Sequence, residues 1–404
     1  MGGALPEGTR RSAAEVLRVF AGLGVRSFGG PIAHLGYFRE EFVVRRRWLD
    51  EATYAHLVAL CQFLPGPASS QVGFSIGLLR AGYPGALAAW VGFTLPSAAL
   101  MVAFAFGAHV LAGVAGAGLA HGLQLAAVAI VAAAVIAMAR ALSPDRTRAS
   151  IAFAAFAIVL AGGSALAQLA AIAAGGAAGF AFCRGAALPA APARALPVSR
   201  PAAVTALALF VALLVGLPVL GEATHSQTTG LFAAFYRSGA LVFGGGHVVL
   251  PLLREAVVAP GWLSDAAFLS GYGAAQAVPG PLFSFAAYLG ALVDVGPRGI
   301  AGAALALLAI YLPGMLLLLG ALPLWQGLRG ARPIAGLVAG VHAAVVGLLA
   351  AALYDPIWTT AVHARGDLLL AALCFVLLVA WRAPALVVVA TGAAGGLTLA
   401  ALGA

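Results

Sequence analysis

Two proline-glycine-proline triplets interrupt a chain otherwise dominated by apolar residues. The first lies in QFLPGPASSQVGF, residues 62–74, and the second in QAVPGPLFSF, residues 276–285. Proline has no N–H to donate and glycine is a poor helix residue, so a helix running into either triplet must break. The half-helix that restarts beyond it presents N–H groups without intrahelical partners, and its dipole favours negative charge. In the first copy these donors would be Ala68, Ser69, Ser70 and Gln71; in the second, Leu282, Phe283 and Ser284. The hydroxyls of Ser69, Ser70 and Ser284 add further donors. Pro65-Gly66-Pro67 and Pro279-Gly280-Pro281 are therefore candidates for anion binding. The plain alternative is a proline kink between packed helices. On helix propensity, replacing a triplet with alanines should favour local helix and leave folding intact.

Two more matched sets could do related chemistry. Phe28-Gly29-Gly30 and Phe243-Gly244-Gly245 can form a turn whose N–H groups make an anion-binding nest, or simply let helices approach closely. Arg39-Glu40 and Arg254-Glu255 pair a planar cation suited to tetrahedral oxyanions with a carboxylate. That carboxylate, Glu40 or Glu255, could hold the arginine between substrates or carry a proton. The alternative is an interfacial arginine anchoring an amphipathic stretch. Gln62 and Gln276 are matched amides beside the breaks, suited to substrate or to tying off freed backbone. His34 and His247 do not align with each other and are expected to pack or face a loop. Trp48 and Trp262 read as interface anchors, and Arg45-Arg46-Arg47 as a topology marker.

The elements that must position these residues are membrane helices. The chain has 404 residues, 63% of them hydrophobic and only 9% charged, against about 25% charged in soluble domains. Several apolar stretches reach about 20 residues, enough to cross a hydrocarbon core. The formal net charge is +9 and all 22 basic residues are arginine. In this setting they mark cytoplasmic loops rather than a nucleic-acid surface. The N-terminus lacks the pattern of a signal peptide. Three cysteines without CxxC spacing and eight scattered histidines give no disulfide framework, metal site or cofactor motif.

The matched motifs keep one order and one spacing. Phe28 and Phe243, and Arg39 and Arg254, lie 215 residues apart; Trp48 and Trp262, Gln62 and Gln276, Pro65 and Pro279, and Ser70 and Ser284 lie 214 apart. Leu95-Pro96 answers Leu312-Pro313. The chain is read as two copies of one unit, 1–188 and 231–404, separated by a Pro- and Arg-rich linker and an extra span within 189–230. The expected fold is an all-α polytopic membrane protein with broken or re-entrant helices. It has about nine full spans plus four re-entrant segments, or about 13 spans. An extra span after four puts the second unit into the membrane from the opposite side, as an inverted repeat. With re-entrant segments, 18 of the 22 arginines fall on the cytoplasmic side, leaving Arg237, Arg254, Arg298 and Arg365 outside. The N-terminus is then cytoplasmic and the C-terminus outside. On these grounds alone the chain is an inverted-repeat transporter of a small anion.

Taken together, FGGPIAHL, RRRWLD, the first triplet with its flanks through GFTLP, and FGGGHVVLPLL, GWLS and GYGAAQAVPGPLFSFAAYLG resemble the CHR family of chromate ion transporters, in its long, two-domain bacterial form. The resemblance implies a chromate exporter of the bacterial cytoplasmic membrane, driven by proton motive force or by exchange with an anion such as sulfate. It implies roles for Phe28, Gly29, Gly30, Arg39, Trp48, Pro65, Gly66 and Pro67 and for Phe243, Gly244, Gly245, Arg254, Trp262, Pro279, Gly280 and Pro281. The partners expected are chromate, with sulfate as a close analogue, membrane lipid, and a second copy in a homodimer. No catalytic residue is assigned. An intramembrane enzyme would need a base beside Ser69, Ser70 or Ser284, and no GxSxG frames them. An anion channel on the same fold would share every motif.

Overall fold

The computed structural model describes residues 12–27, 30–108, 114–162, 165–183, 198–242, 249–324 and 332–402. Among these it is all helical, without strands. The first unit runs through α1 (Ala13–Arg26), α2 (Gly30–Arg39) and a π turn (Glu40–Arg45) to α3 (Glu51–Phe63), α4 (Ala68–Ala108), α5 (Val114–Leu142), α6 (Arg146–Gly162) and α7 (Ala165–Phe182). α8 (Arg200–Thr224) follows alone. The same order then returns in α9 (Gln227–Ala240), α10 (Val249–Val257), α11 (Asp265–Ala277), a 3-10 turn (Leu282–Ser284) and α12 (Phe285–Leu292). It continues in α13 (Gly299–Leu324) and α14 (Arg332–Ala352), which passes through a π turn (Leu353–Trp358) to α15 (Thr359–Ala361), then α16 (Arg365–Val379) and α17 (Ala385–Leu402).

α4 is two helices in one. Ala81 and Gly82 leave helical geometry, at φ −143° and +66°. Residues 68–80 are thus the counterpart of 282–292, and residues 83–108 the counterpart of α13. At about 1.5 Å per residue the post-break pieces are roughly 20 and 16 Å long, too short to cross a hydrocarbon core of about 30 Å alone. In both units the piece folds back on the next helix at a glycine pair, Gly77 with Gly85 and Gly290 with Gly302, where a Cβ would strike backbone. Five helical stretches are long and apolar enough to span: 68–107, through its longer piece after Gly82, and 116–142, 200–224, 299–323 and 335–361. α6, α7, α16 and α17 are shorter, at 17, 18, 15 and 18 residues. α8 packs on α9 and α13 with one side. It leaves Val204, Leu209, Val211, Val215 and Val219 exposed, a face suited to lipid.

The units interlock. α5 packs on α16 and α17 of the other unit, and α14 packs on α6 and α7. Small residues permit both contacts. Gly118 and Gly122 meet Gly392 and Gly396 on α17, while Gly336 and Gly340 meet Gly175 and Gly179 on α7. A Cβ on Gly122 would collide with the Gly392 carbonyl, and one on Gly340 with the Gly175 carbonyl. Backbones this close gain dispersion contacts that any side chain would remove.

The polar connections repeat as well. Asp50 caps α3, accepting from the Thr53 N–H at 2.8 Å, and Ser264 caps α11, accepting from the Ala267 N–H at 3.2 Å. The Trp-Leu-Asp and Trp-Leu-Ser stretches are therefore helix starts.

Candidate anion-binding site

The two breaks are built alike. Gly66 and Gly280 take φ of +123° and +100°, where an L side chain is strained. Each donates its N–H across to the other unit: Gly66 to the Val242 carbonyl at 2.7 Å, Gly280 to the Ser27 carbonyl at 2.8 Å. Val242 and Ser27 immediately precede the two Phe-Gly-Gly stretches. Gly66 backs onto Gly314, and Gly280 onto Ser97, the residues that follow the matched prolines Pro313 and Pro96. Each break thus rests in a saddle made by the opposite unit. This overturns the expectation that a triplet can be replaced with alanines at no cost to folding. Both glycines have positive φ, and a Cβ on Gly66 would lie 3.0 Å from the Gly314 Cα.

The half-helix ends differ from the sequence expectation in two donors. The Gln71 N–H bonds the Pro67 carbonyl at 2.9 Å, and the Ser284 N–H bonds the Pro281 carbonyl at 3.0 Å. Both are thereby removed from the set that could face an anion. Ala68, Ser69 and Ser70 remain in the first unit, and Leu282 and Phe283 in the second, since no carbonyl of their own helix lies behind them. Ser69, Ser70 and Ser284 are all buried.

His34, expected to pack or face a loop, ties the breaks together. Its Nε2 lies 3.2 Å from the Ser27 carbonyl, and its Nδ1 lies 3.4 Å from the Ser69 hydroxyl. A carbonyl only accepts, so Nε2 carries the proton and Nδ1 is left to accept from Ser69. The chain from Gly280 through Ser27 and His34 to Ser69 joins the second break to the first half-helix. No spacing in the sequence pointed to it.

The matched amides part company. Gln62 is exposed, and Gln276 is half-buried. Gln276 lines a cavity of about 250 Å³ with Gly30, Pro31, Gly280 and Leu282, and its Nε2 has no hydrogen-bond partner. One glycine-rich stretch and the opposite break therefore share a cavity with a free donor. Phe28, Gly29, Phe243, Gly244 and Gly245 lie outside the described residues.

The arginines are engaged elsewhere. Arg39 Nε contacts both carboxylate oxygens of Glu51 at 2.8 and 3.1 Å. Arg254 pairs with Asp265 through Nε at 2.7 Å and Nη2 at 3.1 Å. Glu51 and Asp265 are equivalent first residues of α3 and α11, so each arginine staples the preceding helix to the start of the broken segment. Glu40 is exposed, and Glu255 lines a cavity of about 550 Å³ beside Arg237. Arg45 and Arg46, with Arg26, surround the buried Glu41 at 2.6–3.0 Å. Burial alone would raise the Glu41 carboxyl, but the arginines, Arg46 foremost, hold it below its usual range. Arg46 and Arg80 also lie over the Trp48 ring. No arginine is buried among the described residues, and no cluster there could hold a metal ion.

Long apolar helices around paired helix breaks, with neutral donors buried between two like units, define a polytopic membrane transporter. The profile described as "Chromate transporter" matches residues 14–180 and again residues 229–397. The chain belongs to the chromate transporter family, whose members are transporters and not enzymes. It is 29% identical over 354 residues to the chromate transport protein of Pseudomonas aeruginosa, covering 85% of this chain and 80% of that protein. It is 28% identical over 351 residues to the chromate transport protein of Cupriavidus metallidurans, covering 84% of this chain and 81% of that protein. A transporter of Bacillus subtilis, YwrB, is 36% identical over 125 residues, covering 30% of this chain and 61% of its own length. No solved structure matches.

Proposed function

We infer that this protein exports chromate across the bacterial cytoplasmic membrane, through a site between two inverted units. The observation that carries this reading is reciprocal: each break donates its glycine N–H to the residue ahead of the other unit's glycine-rich stretch. An anion placed there is within reach of half-helix ends from both units. Rocking one unit against the other would then expose those ends to one side at a time. Family membership and the names of the relatives supply chromate; sulfate, with the same shape and charge, is expected to compete. The driving force is proton motive force or anion exchange. The second unit is placed in the membrane upside down relative to the first, with the N-terminus and linker cytoplasmic and the C-terminus outside. The odd number of spans between the units and the arginine bias support that orientation.

The test is energised uptake of labelled chromate into everted vesicles. Uptake that an uncoupler or removal of the exchange anion abolishes supports export, whereas passive equilibration alone would make the protein a channel. For topology, single cysteines near Glu222 and Arg200 should be labelled from outside and inside respectively. The opposite pattern reverses the orientation.

A further inference from the structure

Four buried donors with no hydrogen-bond partner gather where the two units face each other. They are the hydroxyls of Ser70, Thr94 and Tyr311 and the indole N–H of Trp90. Ser70, Thr94 and Tyr311 are 3%, 3% and 1% exposed, so bulk water does not reach them. The Ser70 and Thr94 hydroxyls both lie within hydrogen-bonding reach of that of Tyr311, although neither pair is aligned as a bond. The Trp90 ring lies edge-on to the Tyr311 ring, with centroids 5.7 Å apart. Phe283, in the turn just after the second break, packs on Tyr311 from another side, also at 5.7 Å. The cluster is thus bounded by the first half-helix, by α4 one turn apart at Trp90 and Thr94, by α13, and by the second break.

Its position in the repeat is informative. Thr94 precedes Leu95-Pro96 and Tyr311 precedes Leu312-Pro313, so the two are equivalent residues of the two units, 217 apart. Their side chains lie beside each other where α4 meets α13. A buried hydroxyl without a partner is costly, so four such donors in one place call for an explanation. Every member can donate and none is ionised. The two buried carboxylates among the described residues lie elsewhere, Glu41 among its arginines and Asp367 against His121.

We propose that Ser70, Thr94, Trp90 and Tyr311 form the subsite that holds the oxyanion after it sheds its water, and that this subsite selects fully ionised tetrahedral oxyanions. The assignment rests on the protein carrying chromate. Neutral donors hold a dianion without trapping it, since no fixed cation competes with release. A protonated oxyanion such as hydrogen phosphate also needs an acceptor for its own proton, and this cluster offers only hydroxyl oxygens, weaker acceptors than a carboxylate.

The proposal sets stability against binding. Thr94→Val, Ser70→Ala and Tyr311→Phe each remove a buried unpaired hydroxyl while nearly preserving shape. Each should leave the purified full-length protein at least as heat-stable as the parent, because an unsatisfied polar group is gone. Each should also weaken chromate binding and raise KM for chromate by about tenfold or more, the scale of one hydrogen bond to a charged ligand. Sulfate should compete with chromate for the parent protein, and phosphate should compete about tenfold less well. Variants that keep the parent KM would overturn the subsite while leaving chromate transport standing. Variants that lose heat stability would show the hydroxyls to be structural, which also overturns it. Phosphate competing as well as sulfate would remove the claim of selectivity. A parent protein that neither binds nor carries chromate would overturn the functional reading and the subsite together.

Discussion

At the first break the Gln71 amide fills the space behind the triplet, bonding the Pro65 and Gly314 carbonyls at 3.0 and 2.9 Å. At the second break the equivalent position is Phe285, no amide plugs the gap, and a cavity of about 250 Å³ stands open beside Gln276. The frame around the two breaks is nevertheless the same: glycines at positive φ, N–H groups donated to the opposite unit, capped helix starts, and an arginine stapled to a carboxylate. The frame repeats because backbone crossing backbone has few solutions, and those solutions require small residues and fixed donors. The donors and acceptors that fill the frame do not repeat. On the proposed path an anion enters from one side and leaves from the other, so the two halves of that path have no reason to be chemically alike.

The largest effects are expected at the interlocking glycines. Gly122→Leu and Gly340→Leu each drive a side chain into the backbone of the opposite unit, at equivalent crossings. Each should lower stability by about 3 kcal/mol or more and sharply reduce folded protein on size-exclusion chromatography. Gly216→Ala, on α8 with nothing near its Cβ, is the control and should be neutral or slightly stabilising. If the three behaved alike, the tight crossings would not hold the units together.

The break glycines come next. Gly66→Ala and Gly280→Ala should each cost about 1–2 kcal/mol from positive φ, with crowding added. Thermal melts in detergent should place both well below the parent. A change that left the melt untouched would mean that the saddle can open freely at that break.

The two staples differ in burial. Arg254 and Asp265 are 30% and 31% exposed and bond through two nitrogens, whereas Arg39 and Glu51 are 52% and 56% exposed. Asp265→Ala should therefore cost about 1–2 kcal/mol, and Glu51→Ala less than about 1 kcal/mol. Equal melting shifts would contradict the ranking by burial.

A pH-dependent effect is expected at Glu41, which has no counterpart in the second unit, where Ala256 takes its place. Its carboxyl is held below the usual range, so its contribution is present above the ordinary carboxylate pKa, near about 4.3, and is lost as pH falls through the lowered value. Glu41→Gln should melt lower than the parent at pH 7, by about 2 kcal/mol at most because the arginines around it are partly exposed. The gap should narrow as pH falls below about 4.3. A gap that stayed constant with pH would assign the loss to packing rather than charge.

Much of the scaffold was legible along the chain. Apolar runs marked the helices, the triplets marked the breaks, and constant spacing marked the two units, because each depends only on neighbours within a few residues. The same logic found the serines beyond the first break but also misassigned two donors, since Gln71 and Ser284 spend their N–H groups on local carbonyls. Arg39 and Arg254 looked like oxyanion ligands because residue type carries no record of a partner 11 or 12 residues away that already holds the charge.

Sequence by itself determined that this is a two-unit membrane transporter of the chromate family with a broken helix in each unit. Tertiary structure alone decided what the breaks touch. Gly66 finds its acceptor at Val242, Gly280 at Ser27, and Thr94 meets Tyr311 across 217 positions of chain. Local propensity can place a break, but which groups it leaves unpaired, and which buried hydroxyls gather around it, depend on contacts that exist only once the two units have closed on each other.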